Sequence, residues 1–565
     1  MSGYLYLSFQ RPPPAEVNVE AAPVCSGSRA AKQTINISPL LTNDLRDEAF
    51  VPEDLAEAPR LHFAWVTLNQ EAGRGSQVQA LGSVCSTAWL GPESAWKTVT
   101  IDPPELEHYD GEVWVRLALW ASTKNKQVSS AENLTQLVQD ALRVPIEVHT
   151  SANSQPKIIP VLSGPILLRK ASIQAGQIHK HASQKGARTS SQQLTSTAKK
   201  SVKTKLDTLT RLYSISLPYE DLAWMCKPDD VSPSASEVER SASTIMITER
   251  TGYELDKHLW DASLHLSRLL RHVMNQRGID SPKAAEPIRD GRRKRQRVDE
   301  EKDTSASDKT TPPGQLGALE HLRSLLQRRS LRVVELGAGT GLLSIVLAVL
   351  LTPRDRGALD KAKLGASPQP PLEDRTDLEE TPGTAQKLHI YVTDLSSALE
   401  LIQSNIDDNR TLLQAQQSFT PESLLIEPLM LDWDEQLPAL LRDDQPDLVL
   451  VSDCTYNPES FPSLCRTIRD LLTRPSAPRG NGPHAPVCLL SKKHRHAAEE
   501  ALWAEMQRNH LAWTLLSGAN GFGQGFDASL NSVSTSDIAI VATDTASEDK
   551  EYGGWGIWLV RKASP

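Results

Sequence analysis

The sequence predicts an α/β fold in its C-terminal half, a parallel sheet with helices on both faces, preceded by a β-rich accessory region over residues 1–170. Three observations carry this. From Leu331 onward, apolar runs of strand length alternate with helical segments, the pattern of repeated strand–helix units. A glycine-rich turn joins the first of these strands to the first helix. Before Arg169, by contrast, the apolar residues recur with a period of two.

Residues 112–120 show that period well: Val113, Val115, Leu117 and Leu119 alternate with Trp114, Arg116, Ala118 and Trp120. Val144, Ile146 and Val148 repeat it, and IIPVLSGPILL adds an apolar run broken by Pro and Gly. Between Ser172 and Leu206 the chain is rich in Ser, Thr and Gln, with seven Lys/Arg and no acid. Such a stretch buries too little apolar surface to offset its conformational entropy, so residues 171–245 read as a basic, largely disordered linker. The third division, 246–565, opens with GYELDKHLWDASLHLSRLL, whose leucines fall on one helical face. It carries two expected disordered insertions, near 280–315 and 352–386. The first contains Arg292 to Arg297, where five of six residues are basic, a cluster of nuclear-import type.

The α/β elements follow in order. LRVVEL is a strand and GAGTGLLSIVLAVLL its turn and helix; LHIYVTDL and SSALELIQSNIDDN form the next pair. LLIEPLMLDW, PDLVLVSD and APVCLLSKK read as further strands, and HAAEEALWAEMQRN as a helix. HLAWTLLS and GIWLVRK close the pattern, with SDIAIVAT as one more candidate strand.

Composition excludes several classes. Lys and Arg number 61 against 70 Asp and Glu, a net charge of −9, so a chain-wide nucleic-acid-binding field is not expected. The six cysteines show no CxxC pair and no His at zinc spacing, which argues against a disulfide framework or metal site and for a reducing compartment. The longest apolar run, Leu342 to Leu351, has about half of the roughly 20 residues a membrane helix needs. We read the chain as soluble, intracellular, monomeric, and cytoplasmic, nuclear or both.

The chemistry gathers at strand ends. Glu335-Leu336-Gly337-Ala338-Gly339-Thr340-Gly341 lies between strand and helix. There glycine lets a ligand meet backbone without a Cβ, and the helix start offers free N–H groups. Asp394 ends the second strand, where a carboxylate accepts both hydroxyls of a ribose or instead caps the following helix. Trp433, in Asp432-Trp433-Asp434, offers an indole to an adenine or fills the core. Asp453-Cys454-Thr455-Tyr456 follows the fourth strand and puts a carboxylate and a phenol at the mouth of the sheet. A dinucleotide fold prefers GxGxxG, whereas here Leu342 takes the third glycine's slot. Acids at Glu335 and Asp453 suit a cationic cofactor better than a pyrophosphate, which points to S-adenosyl-L-methionine. His494 and His496 in KKHRH tempt as bases, but a solvated turn is their expected place.

At these residues the sequence resembles methyltransferase family 16, seven-β-strand enzymes that include many protein-lysine methyltransferases. VVELGAGTGLLSI is similar to the family's first motif, YVTDL to its ribose-binding strand end, LDW to its adenine-side tryptophan and SDCTYN to its acid-x-x-Tyr motif. HLWDASLHLSRLL resembles its upstream helix, whose tryptophan corresponds to Trp260. The likeness spans roughly Thr251 to Lys562. Ser452 stands where the family commonly has alanine, and the basic insertion stretches the distance from Trp260 to the glycine loop. The resemblance implies a Rossmann-like seven-strand methyltransferase sheet and transfer of methyl to a protein lysine, on a substrate such as a translation factor or chaperone. It implies cofactor contacts at Trp260, Glu335, Gly337, Ala338, Gly339, Asp394, Trp433 and Ser452, catalytic roles for Asp453 and Tyr456, and no metal. A small-molecule amine methyltransferase, a dinucleotide-dependent oxidoreductase and a non-catalytic scaffold stay open as alternatives.

Overall fold

The computed structural model describes residues 4–19, 34–71, 75–105, 112–122, 134–146, 157–170, 208–215, 243–250, 258–275, 313–328, 330–351, 387–414, 423–473, 485–518 and 554–563. The expectations for 172–206, 292–297, 352–386 and 536–543 lie outside these residues.

The C-terminal strands form one sheet: β1 (Ser330–Leu336), β2 (Lys387–Asp394), β3 (Leu424–Met430), β4 (Leu448–Ser452), β5 (Val487–Lys493), β6 (Leu511–Gly518) and β7 (Trp555–Lys562). Their order is β3-β2-β1-β4-β5-β7-β6. The first five are parallel, and β7 runs antiparallel to both β5 and β6. The apolar runs are continuous because both faces are buried. On β1, Leu331 and Val333 enter one core while Val334 and Leu336 enter the other; on β4, Leu448 and Leu450 oppose Val449 and Val451 in the same way.

Helices cover both faces. α1 (Asp261–Asn275), α2 (Pro313–Leu326), α3 (Leu342–Leu351), α4 (Ser396–Asp408) and the short α5 (Arg410–Gln414) pack on one side. On the other lie α6 (Ala439–Asp443), α7 (Phe461–Leu472) and α8 (Ala501–Arg508). The segment read as a single helix after β5 divides into a 3₁₀ turn at Ala497–Glu500 and α8. α2 starts at Pro313, slightly before the expected end of the first insertion. Among the described residues no helix is long and apolar enough to cross a membrane.

Among its described residues the N-terminal region is β-rich, with one α-helix at Leu134–Leu142. Strands Arg60–Glu71, Gly75–Ala88, Ser243–Arg250, Thr208–Ile215, Val161–Ser163 and Glu112–Ser122 pair in that order, and the last pairs back with the first, closing a ring. The alternation at 112–120 sorts side chains between two cores: Val115, Leu117 and Leu119 on one face, Ala118 and Trp120 on the other.

The linker expectation fails at Thr208–Ile215. That segment is a buried strand, paired along its full length with Ser243–Arg250. Its Arg211 is fully buried and bonded to Glu249 on the neighbouring strand. Burying a charge is tolerable only with such a partner, and the partner is 38 residues away.

Strand Ser243–Arg250 also meets the C-terminal part. Asn405 and Asn409 on or beside α4 bond its backbone in both directions: Thr248 N–H to Asn405 Oδ1 at 2.8 Å, Asn405 Nδ2 to Thr248 carbonyl at 3.0 Å, and Met246 with Asn409 at 2.9 and 2.7 Å. The asparagine amides thus stand in for a neighbouring strand. Tyr4, Tyr6, Val144, Ile146, Tyr213, Ile245 and Ile247 join the same core as α1 and α3.

Candidate active site

The strand order reverses between β1's two neighbours, and open α/β sheets bind ligands at such a switch point. There a cleft of about 280 Å³ lies at the C-terminal ends of β1, β2 and β4. Trp260, Glu335, Gly337, Ala338, Gly339, Asp394, Trp433, Ser452, Asp453 and Tyr456, from five separate stretches of sequence, all line it.

The glycine loop sits against β2 and the β4 turn. Gly337 has φ +60° and Gly339 φ +58°, a left-handed conformation that favours glycine. A Cβ on Gly337 would lie 2.6 Å from Cys454 Sγ and 3.3 Å from the Trp433 ring. Cys454 itself is buried, its thiol pushed well up from its ordinary pKa by burial and by the nearby carboxylates. It packs under the loop with its sulfur 3.2 Å from the Leu336 carbonyl.

Asp394 holds the loop in place. Its Oδ2 accepts the Gly339 N–H at 2.7 Å and its Oδ1 accepts the Leu395 N–H at 2.7 Å. The residue flanking α4 at its start is Leu395, which makes no side-chain cap. Glu335, only 2% exposed, accepts both the backbone N–H of Ser344, at 3.1 Å, and its hydroxyl. Burial pushes its carboxyl up to about 7, against the pull of the Ser344 bonds and with a further push from Asp394.

Two indoles form walls. Trp433 is half-buried, packed on the core beneath α7, with its carbonyl accepting from Arg466 at 2.8 Å. Trp260 lies just before α1 and carries the Arg495 guanidinium 5.5 Å above its ring centroid. Ser452 ends β4, and its buried hydroxyl finds no hydrogen-bond partner among the described residues.

Asp453 lines the cleft, but its carboxylate is paired. It is 5% exposed, in a left-handed conformation with φ +59°, and its N–H donates to the Ser491 carbonyl at 2.9 Å. Both its oxygens are taken by Arg495, at 2.6 and 2.5 Å. Tyr456 stands at the lip, 53% exposed. His496 accepts the Ala498 N–H at 3.1 Å and His494 faces Glu500, so neither lines the cleft. The sequence reading weighed the histidines of KKHRH and passed over Arg495, the residue of that run that reaches the site. Its signal, a cation after β5 in a sheet with an acid after β4, was available.

Five lining residues are acids, Glu335, Asp394, Asp432, Asp434 and Asp453, and none is Lys or Arg. With Asp453 paired to Arg495, the other acids still leave a field that opposes a pyrophosphate and favours a cation. The cradle at Gly337, the carboxylate on β2, the two indoles and the orphaned Ser452 hydroxyl fit the nucleoside and amino-acid ends of S-adenosylmethionine.

Fold and cleft together give the C-terminal part a Rossmann-like seven-strand sheet with a ligand cleft at its switch point. The sequence model of the family described as lysine methyltransferase matches residues 239–360 and 378–509. This half of the chain therefore resembles methyltransferase family 16. Among curated proteins it is similar to protein-lysine N-methyltransferase EFM6 of Saccharomyces cerevisiae, 29% identical over 32% of this chain and 56% of that protein. It is also similar to protein N-lysine methyltransferase METTL21A of Danio rerio, 28% identical over 31% of this chain and 56% of that protein. The chain spans just over half the length of these relatives. A solved arsenic(III) S-adenosylmethionine methyltransferase from Chlamydomonas reinhardtii aligns with a TM-score of 0.24 and 15% identity over 42% of this chain and 64% of that one.

Proposed function

We propose that the chain is an S-adenosylmethionine-dependent N-methyltransferase acting on a lysine side chain of a protein, with its chemistry in residues 246–565 and residues 1–170 as an accessory region. The observation that carries this is a cleft at the sheet's switch point that combines a glycine cradle with five acidic lining residues and no Lys or Arg. The family match and the two curated relatives support the choice of lysine.

In this reading Asp394 accepts the ribose hydroxyls, Glu335 faces the cofactor's ammonium, and Trp433 and Trp260 flank the adenine and amino-acid ends. The cofactor supplies an electrophilic methyl group. The protein's part is alignment, because in-line displacement depends on holding the nucleophile on the axis of the breaking bond. A lysine ammonium, with an ordinary pKa of about 10.4, must first lose its proton. A free carboxylate at the mouth would hold it as the cation. Asp453, already neutralised by Arg495, exerts less of that pull and leaves Tyr456 as the side chain that meets the incoming amine.

Calorimetric titration with S-adenosylmethionine and with NAD tests the cofactor, with binding of the first alone expected. Labelled S-adenosylmethionine and extract from cells lacking the protein then test the substrate. A labelled protein band whose label maps to lysine is the expected result. Label confined to the low-molecular-weight fraction would favour a small-molecule amine substrate. Binding of NAD instead would overturn the reading altogether.

A further inference from the structure

The site is not built by the C-terminal half alone. Asp44, in the turn after the N-terminal strand Pro39–Thr42, is 3% exposed and reaches across to the segment that follows β5. Its Oδ2 accepts from Arg495 at 2.9 Å and its Oδ1 from Lys493 at 2.8 Å. Lys493 in turn donates to Asp261 at 2.9 Å, at the start of α1 and next to Trp260. The other oxygen of Asp261 accepts the hydroxyl of Tyr6, from the first N-terminal strand, at 2.7 Å. Burial alone would raise the Asp44 carboxyl, but Arg495 and Lys493 outweigh it and hold it below its ordinary pKa, so it stays ionised.

Arg495 is the junction. One guanidinium holds both oxygens of Asp453, covers the face of Trp260 and is gripped from behind by Asp44. A guanidinium fork engages a carboxylate with fixed geometry, which a flexible ammonium does not. Without Asp44, Arg495 keeps Asp453 but loses its anchor to a rigid sheet. The turn at Asp453, already in a left-handed conformation, and the Trp260 wall would then share a looser support.

We propose that Asp44 is a positioning residue for methyl transfer, acting through Arg495 on Asp453 and Trp260. The N-terminal region is thereby part of the active-site frame. This rests on the methyltransferase reading above.

The test uses the full chain. Cofactor affinity is measured by calorimetry, and the apparent KM for S-adenosylmethionine and the maximal labelling rate are measured with labelled cofactor and extract from cells lacking the protein. Asp44→Asn is expected to keep cofactor affinity within about threefold and to lower the maximal rate about tenfold, since small displacements of a nucleophile are costly in rate. Arg495→Lys, which keeps the charge and loses the fork, is expected to lower it at least as much. In the double variant, Asp44→Asn should cost nothing beyond Arg495→Lys, because its effect passes through that residue. Leu41→Val, buried in the same N-terminal segment, supplies the loss of stability without the loss of rate. An unchanged rate in Asp44→Asn, multiplicative losses in the double variant, or equal slowing by Leu41→Val would each overturn the positioning role while leaving the methyltransferase reading intact. A wild-type chain that binds no S-adenosylmethionine would overturn that reading first, and this role with it.

Discussion

Glu335 shows how one residue couples packing to ligand binding. Its carboxyl is raised from an ordinary 4.5 to about 7 by burial. Between those values the folded protein holds a proton that the unfolded chain has released. Its contribution to stability is therefore full below pH 4.5 and is lost as pH rises through 7. A cationic ligand favours the ionised form, so binding near pH 6 should release a proton. Affinity for S-adenosylmethionine should fall by up to about tenfold per pH unit below 7. Calorimetry in buffers of different ionisation enthalpy reads the proton directly, and Glu335→Gln should abolish both the release and the pH slope. Asp394 makes a second prediction at this scale. Asp394→Ala removes a charged acceptor from the Gly339 N–H and, in the proposed reading, from a ribose as well. A charged hydrogen bond contributes roughly 1.5–3 kcal/mol, so affinity should drop about ten- to a hundredfold in a protein that still folds. Unchanged affinity would remove Asp394 from the cofactor site.

At the scale of elements, α4 does more than cover the sheet. SSALELIQSNIDDN reads as an ordinary amphipathic helix, yet its Asn405 side chain is fully buried and serves Thr248 N–H, the Thr248 carbonyl and, at 2.9 Å, the Thr340 carbonyl. Thr340 belongs to the glycine loop, so one amide ties that loop to an N-terminal strand. Asn405→Ala leaves buried backbone groups unpaired, at about 1–3 kcal/mol for each that water cannot reach. We expect a loss of roughly 3 kcal/mol in urea denaturation, with the slope of the transition unchanged. A loss below about 0.5 kcal/mol, the level of an ordinary surface substitution, would show that the bonds carry no weight. Nothing in the helical periodicity announces this role, because the partners of Asn405 come from sequence positions more than 60 residues away.

For the whole molecule, the shared core sets the folding unit. Ile245, Ile247 and Tyr213 bury against the same cluster as Leu264, Leu266 and Leu269 of α1. A chain beginning at Thr251 would expose that face of α1 together with Asn405 and Asn409. It should be poorly soluble or bind hydrophobic dyes, whereas the full chain should unfold in one transition by both near- and far-ultraviolet circular dichroism. A soluble, monomeric truncated chain with cooperative unfolding would show instead that the C-terminal part is an independent domain.

The strands and helices of the C-terminal half were legible because parallel sheets buried on both faces leave long apolar runs and period-3.6 helices. So were the glycine loop and the acids at strand ends, since each sits within a few residues of a strand's last apolar position. Asp394, Trp433, Asp453 and Tyr456 do line one cleft. Three things depended on contacts across the chain. The strand at Thr208–Ile215 is hidden by an arginine whose acid partner lies on another strand. Asp453 reads only as a carboxylate at the mouth of the sheet, and its pairing with Arg495 comes from the fold. Asp44, 409 residues before Asp453, has no local pattern at all. Local sequence determines which segments become strand, turn and helix, because backbone geometry and apolar periodicity are short-range. The state of each charge at the site is decided by tertiary structure, because a buried carboxylate takes its character from the partner that folding places beside it.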